Sequence, residues 1–161
     1  MISKDILYYL ISPTLKEIGL SSQAAEILVY GTAQVETSFQ YLVQIGNPPN
    51  GGKGLYQDED SDYLDLSKWL ILKENADLLD KVLTSCRYHS LPLDAAILIS
   101  NLKLATICCR LHYYRIAKPL PAADDAEGMA KYHKTYYNSS LGKADVDKNI
   151  KIFQQVINGY I

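Results

Sequence analysis

Glu36 is the residue on which acid–base chemistry would turn. It follows Val35 by one position and Thr32 by four, near the C-terminal end of a segment whose residues Ala25, Leu28, Val29, Thr32 and Val35 recur at three- and four-residue intervals. On a helix this spacing puts Glu36 at the edge of the apolar stripe and not on the opposite, solvated face. A carboxylate held against apolar surface is penalised when charged, so its pKa is expected to rise. A Glu that keeps its proton near neutral pH is what a general acid needs to protonate a glycosidic oxygen. Taken alone, Glu36 is also readable as an ordinary glutamate in a last helical turn.

Three other clusters invite a chemical reading. Asp58, Glu59, Asp60 and Asp62 follow one another closely and supply candidates for a base that activates water opposite an acid. The same run reads as a solvated acidic loop. It is not an EF-hand, because Tyr63 stands where that loop requires Gly and Trp69 where it requires the bidentate Glu. Cys86-x-x-His89 and Cys108-x-x-x-His112 have helix-compatible spacing for structural zinc. However, adjacent Cys108 and Cys109 cannot point the same way on a helix, and buried Cys more often acts as a small hydrophobe. A Cys109–His112 nucleophile pair would lie mid-helix without a visible oxyanion donor. No metal or cofactor is therefore expected.

The elements that must position these residues are helical. Apolar periodicity runs from Ile6 to Gly19, interrupted at Pro13, which kinks or splits the segment. A second helix covers roughly 22–38, with Ser21 or Ser22 as its N-cap. Gly31 falls in its middle, where Gly costs about 1 kcal/mol against Ala and signals close approach of another backbone. The stretch 46–62, GNPPNGGKGLYQDEDSD, cannot continue a helix or a central strand. It is too short to link two separate cores, so it reads as a functional or connecting loop. Helices resume at roughly 62–73, 76–87, 93–115, 126–138 and 145–158, with Gly142 as a stop and Asp145 as the last N-cap.

Composition narrows the classes. The chain has 161 residues, 16 Lys+Arg against 18 Asp+Glu, and a formal net charge of -2. A chain of that length fits one domain, and 48% hydrophobic with 21% charged residues argues against wholesale disorder. No global basic field exists to attract a polyanion, so nucleic acid is not an expected partner. No run of about 18 apolar residues exists, so no membrane span is expected. Asp5 interrupts the first apolar stretch, and no cleavable signal peptide is read. The three Cys make no disulfide framework and suit a reducing compartment. The 13 Tyr against 2 Phe and 1 Trp suit half-buried faces, clefts and interfaces that meet polar surfaces.

The order Gln34-Val35-Glu36-Thr37-Ser38-Phe39, a Gly-rich loop, then Gly54-Leu55-Tyr56-Gln57 resembles the lysozyme-like superfamily of soluble lytic transglycosylases and goose-type lysozymes. In that family a catalytic Glu followed by Ser or Thr closes a helix, and a Gly-Leu-Met-Gln segment lines the cleft. A later helix ends in an Ala-Tyr-Asn-Ala-Gly segment whose Tyr faces the Glu. The chain departs at two places: Tyr56 replaces the Met, and Arg110-Leu111-His112-Tyr113-Tyr114-Arg115 keeps the Tyr without the Asn-Ala-Gly. A set of small phage-encoded lysozyme-like proteins is more similar. It shares the Gly-Leu-aromatic-Gln segment, the Arg110–Arg115 stretch before Pro119-Leu120-Pro121, and Tyr136-Tyr137-Asn138 through Gly142-Lys143. The resemblance spans roughly residues 20–158 through short motifs.

The helical pattern reads as a mainly α single domain over 1–161 with room for a small β-hairpin within 39–60, and the resemblance implies that this domain is lysozyme-like, with loop 46–62 lining the cleft. Glu36 would be the acid and then the base. Thr37 would stand where the family's Ser hydrogen-bonds that Glu. Gln57, with the backbone of Leu55 and Tyr56, would contact a sugar N-acetyl group. Tyr113 or Tyr114 would orient Glu36 from across the cleft. Two readings follow. One is a virion-carried enzyme that cuts the N-acetylmuramic acid–N-acetylglucosamine bond of peptidoglycan strands. The other is a non-catalytic virion or tail protein whose Tyr-rich faces meet other virion proteins. Hydrolysis and anhydro-forming transglycosylation stay open at this point.

Overall fold

A computed structural model describes residues 4–138 and 145–160. The chain is mainly α. A π-helical turn, Ile6–Ile11, leads into α1 (Ser12–Glu17). Next come α2 (Gln23–Glu36), α3 (Asp60–Leu70), α4 (Ala76–Cys86) and the short α5 (Ile97–Ser100). The last three are α6 (Leu102–Tyr114), α7 (Ala126–Tyr136) and α8 (Val146–Tyr160). The motif residues Gly142 and Lys143 lie outside the described residues. Among the described residues, no helix is long and apolar enough to cross a membrane.

Pro13 splits the first segment through the π turn. The Ser12 N–H donates to Leu7 O, five residues back, and Pro falls in the first turn of α1, where a missing N–H costs no helical bond. Ser22 caps α2 by accepting from the Ala25 N–H at 3.1 Å. The expected helix over 93–115 is shorter and broken. Asn101 leaves helical geometry and accepts from the Leu104 N–H at 2.9 Å, so α6 starts afresh after it. The last helix begins as expected, with Asp145 accepting from the Lys148 N–H at 3.2 Å.

Helices α2 and α6 form the centre. Every residue from Ala25 to Ala33, and every residue from Leu104 to Leu111, is buried. Burial on all sides is more than one amphipathic stripe provides, and it explains why polar Thr32 and Thr106 lie there with their hydroxyls bonded to helix carbonyls and tyrosines. Around them pack Leu7, Ile11 and Leu15 from the N-terminal elements, Met129 and Ala130 from α7, and Phe153 and Val156 from α8. Gly31 marks a close approach, but of a side chain and not of a backbone. A Cβ at that position would lie 2.1 Å from the Phe153 ring.

The expected hairpin reduces to two antiparallel bridges, Val43 with Lys53 and Lys53 with Asp58. Pro48-Pro49 removes two donors, and positive φ at Gly46, Asn47, Asn50, Gly54 and Gln57 turns the chain too often for a ribbon. The result is a folded loop held by Gly54 N–H to Leu42 O at 2.8 Å and by the reciprocal Lys53–Asp58 backbone pair at 2.9 and 3.0 Å. Gly52 and Gly54 allow this closeness, because added Cβ atoms would lie 2.7 Å from Gln57 O and Leu98 O respectively.

Candidate functional site

A cleft of about 470 Å³ opens between the end of α2, the 52–59 loop, the start of α3, the end of α6 and the end of α7. Its lining includes Glu36, Gln57, Asp58, Asp62, His112 and Tyr137. Helix α2 is enclosed from Ala25 to Ala33, and Glu36, its last residue, emerges at this opening with 17% of its side chain exposed. The end of the helix is fixed from both sides. Tyr41 Oη donates to Glu36 O at 2.7 Å, and Thr37 Oγ1 bonds Ala33 O at 3.1 Å and Leu55 O at 3.0 Å.

Two carboxylate–histidine pairs stand in this cleft. Glu36 Oε1 is 3.0 Å from Nε2 of His133, which comes from α7 and is completely buried. His133 Nδ1 is buried without a hydrogen-bond partner among the described residues. An orphaned N–H is rarer than an orphaned acceptor, so the tautomer that fits carries its proton on Nε2 and donates it to Glu36. This holds Oε1 and leaves Oε2 as the oxygen available for chemistry. In the second pair His112 Nε2 donates to both Asp58 oxygens, at 2.9 and 3.0 Å. Only 10% of the His112 side chain and 6% of the Asp58 side chain are exposed.

Tyr137 joins the two pairs. Its ring stacks on His133 at 5.7 Å between centroids and meets His112 edge-on at 5.8 Å. Its hydroxyl donates to Tyr56 O at 2.8 Å, which ties the end of α7 to the loop. The loop carbonyls are otherwise committed as well: Leu55 O accepts from Thr37 and Gly54 O accepts from Gln57 Nε2 at 2.9 Å. At the rim, burial and the neighbouring Asp58 charge push the Asp62 carboxyl above its ordinary value. Arg115 pairs with Asp65 at 2.7 Å and lies over the Trp69 ring.

The structure places the expected site residues unevenly. Glu36 and Gln57 line the cleft. Thr37 does not bond the Glu36 carboxylate; its hydroxyl is turned inward to Ala33 and Leu55, because the helix end and the loop both offer carbonyls there. The Leu55 and Tyr56 side chains of the loop are buried in the core, with Tyr56 Oη on Thr106 at 3.0 Å. Neither Tyr113 nor Tyr114 orients Glu36. Tyr113 is buried with its hydroxyl 2.7 Å from Thr32 Oγ1, and Tyr114 points outward to pack edge-on against Trp69. The tyrosines that line the cleft, Tyr136 and Tyr137, come from the end of α7 instead.

His133 and the Asp58–His112 pair were not recognisable from spacing, since each partner comes from a distant part of the chain. The signal for His133 was a His four residues before Tyr137 in one helix, which puts both on one face. The cysteine alternatives do not hold. Burial pushes the Cys108 and Cys109 thiols well up and Cys86 up to about 11, so none is a ready nucleophile. His112 is engaged by Asp58 rather than by a thiol, and His89 is exposed. Among the described residues no group of three or more His, Cys, Asp or Glu side chains is arranged to hold a metal ion.

The chain matches no protein-family model, no curated protein and no solved structure.

Proposed function

We propose that the protein cleaves glycosidic bonds of peptidoglycan, between N-acetylmuramic acid and N-acetylglucosamine, with Glu36 as the acid and then the base. The observation that supports this reading is the setting of Glu36. It is the last residue of an enclosed helix, it opens into a cleft, and a buried His133 holds one of its oxygens at 3.0 Å. A carboxyl group fixed in this way can present its other oxygen to a glycosidic oxygen without reorganising. Gln57, on the same cleft wall, would meet a sugar substituent through its amide oxygen, its Nε2 being bonded to Gly54 O. The setting in which such an enzyme acts is a phage particle that carries it to the cell wall.

Digestion of purified peptidoglycan by the wild type beside Glu36→Gln, with products read by mass spectrometry, tests this. The expected result is muropeptides from the wild type and a loss of roughly 100-fold or more in the variant. Products from both at equal rates would remove Glu36 from the reaction. A second reading, a non-catalytic virion protein, draws on the exposed apolar side chains Tyr9, Ile45 and Leu93 as assembly contacts. A folded wild type that releases nothing from several wall types would favour it.

A further inference from the structure

If Glu36 serves as both acid and base, as an anhydro-forming reaction allows, the Asp58–His112 pair in the same cleft is left without a role. We propose that His112, oriented by Asp58, takes over the base role from Glu36 and accepts the proton of an attacking water, so that the bond is broken by hydrolysis. This rests on the reading of Glu36 as the acid of a glycosidase.

The geometry favours His112 over the neighbouring carboxylates. Both Asp58 oxygens are committed to His112 Nε2, at 2.9 and 3.0 Å. That contact fixes the tautomer with the proton on Nε2, which makes Nδ1 the basic nitrogen of a histidine that lines the cleft. The pair is held from several sides. Asp58 is locked by its reciprocal backbone bonds to Lys53, and the His112 ring is braced by Tyr137. Asp60 is engaged by Lys53 at 2.5 Å. Asp62 and Glu59 stand at the exposed rim, and among the described residues neither has a histidine in contact to orient it as Asp58 and His112 orient each other. A buried Asp behind a His is the arrangement that orients a general base and stabilises the imidazolium it becomes.

The step balances without a co-reactant other than water. The water oxygen forms a bond to the anomeric carbon as the bond from that carbon to the bridging oxygen breaks. One water proton passes to His112 Nδ1, and the Glu36 proton passes to the bridging oxygen. Exchange with solvent then returns His112 to neutral and Glu36 to its acid form.

The test is peptidoglycan digestion by the full chain as wild type, His112→Ala, Asp58→Asn and Glu36→Gln, with melting curves for each. Expected are products with ordinary reducing ends, a loss of roughly 100- to 10,000-fold in folded His112→Ala, and partial recovery of that variant alone by added imidazole. Asp58→Asn should lose activity and gain nothing from imidazole, because its His112 is still present in the wrong tautomer. Should His112→Ala not fold, His112→Gln replaces it. Anhydro products from the wild type, lost in Glu36→Gln, would overturn the inference while leaving the proposed function standing. So would a folded His112 variant with activity within a few-fold of the wild type. A folded wild type with no products would overturn both.

Discussion

At the scale of single residues, the cleft is an exercise in which carboxyl groups are held and which are not. Glu36 and Asp58 each have a histidine within 3.0 Å, whereas Asp62 has none and faces the Asp58 charge. Its folded-state pKa is raised above the ordinary 3.8, by burial first and Asp58 second. The sign of the linkage follows. Below about pH 3.8 Asp62 is protonated in both states and costs nothing. As pH rises through the raised folded value, the folded state must give up a proton that it holds more tightly than the unfolded chain, and stability falls. Asp62→Asn should therefore raise the melting temperature at pH 7 and lose that advantage as the solution is acidified. Melting curves of the two proteins from pH 3 to pH 8 check this, and a gain that persists at the acid end would contradict it.

At the scale of elements, the site depends on how tightly α2 packs against α8. Phe153 is wholly buried, and its ring occupies the space a Cβ on residue 31 would need, at 2.1 Å. Gly31→Ala gains about 1 kcal/mol of helix propensity but forces overpacking that typically costs about 1–3 kcal/mol. The expected net effect is a loss of up to about 2 kcal/mol in urea unfolding. The same substitution in a Phe153→Leu background should cost at most half as much, because the two sites share one space. Phe153 also contacts His133, at 6.3 Å between ring centroids. Strain there reaches the histidine that holds Glu36, so Gly31→Ala should lower activity beyond what its unfolded fraction explains.

At the scale of the whole molecule, Glu26 ties both ends of the described chain to its centre. It is buried in α2 and accepts from Ser12 of α1 at 3.0 Å, from Ser21 at 2.6 Å, and from Tyr160 at the end of α8 at 2.6 Å. Hydrogen bonds to a charged group contribute about 1.5–3 kcal/mol each, and removing such a partner leaves the others unsatisfied. Glu26→Ala should cost about 3 kcal/mol or more in chemical denaturation, and Glu26→Gln less, since its amide still accepts from the serines. Glu26→Ala should also free the end of α8 first, seen as faster amide exchange over its last turns. Equal exchange throughout α8 in both proteins would show that the tie is not needed.

Much of the helical frame was legible in the sequence. The elements that became α2, α4, α7 and α8 were marked by local signals: the Ser22 and Asp145 caps, the three- and four-residue apolar spacing, and the Pro13 and Pro119–Pro121 interruptions. These act over a few residues, so they can be read without knowing the fold. Glu36 as a residue at the edge of an apolar stripe near a helix end belongs to the same class, whereas Gln57 was singled out only by the family resemblance. The partners were decided only by tertiary structure. His133 reaches Glu36 across 97 positions and His112 reaches Asp58 across 54, and nothing in the local pattern of either end specifies the other. The same holds for the direction of Tyr113, Tyr114 and Tyr137. A helix period states which residues share a face, but which face looks into a cleft is set by what packs on the opposite side.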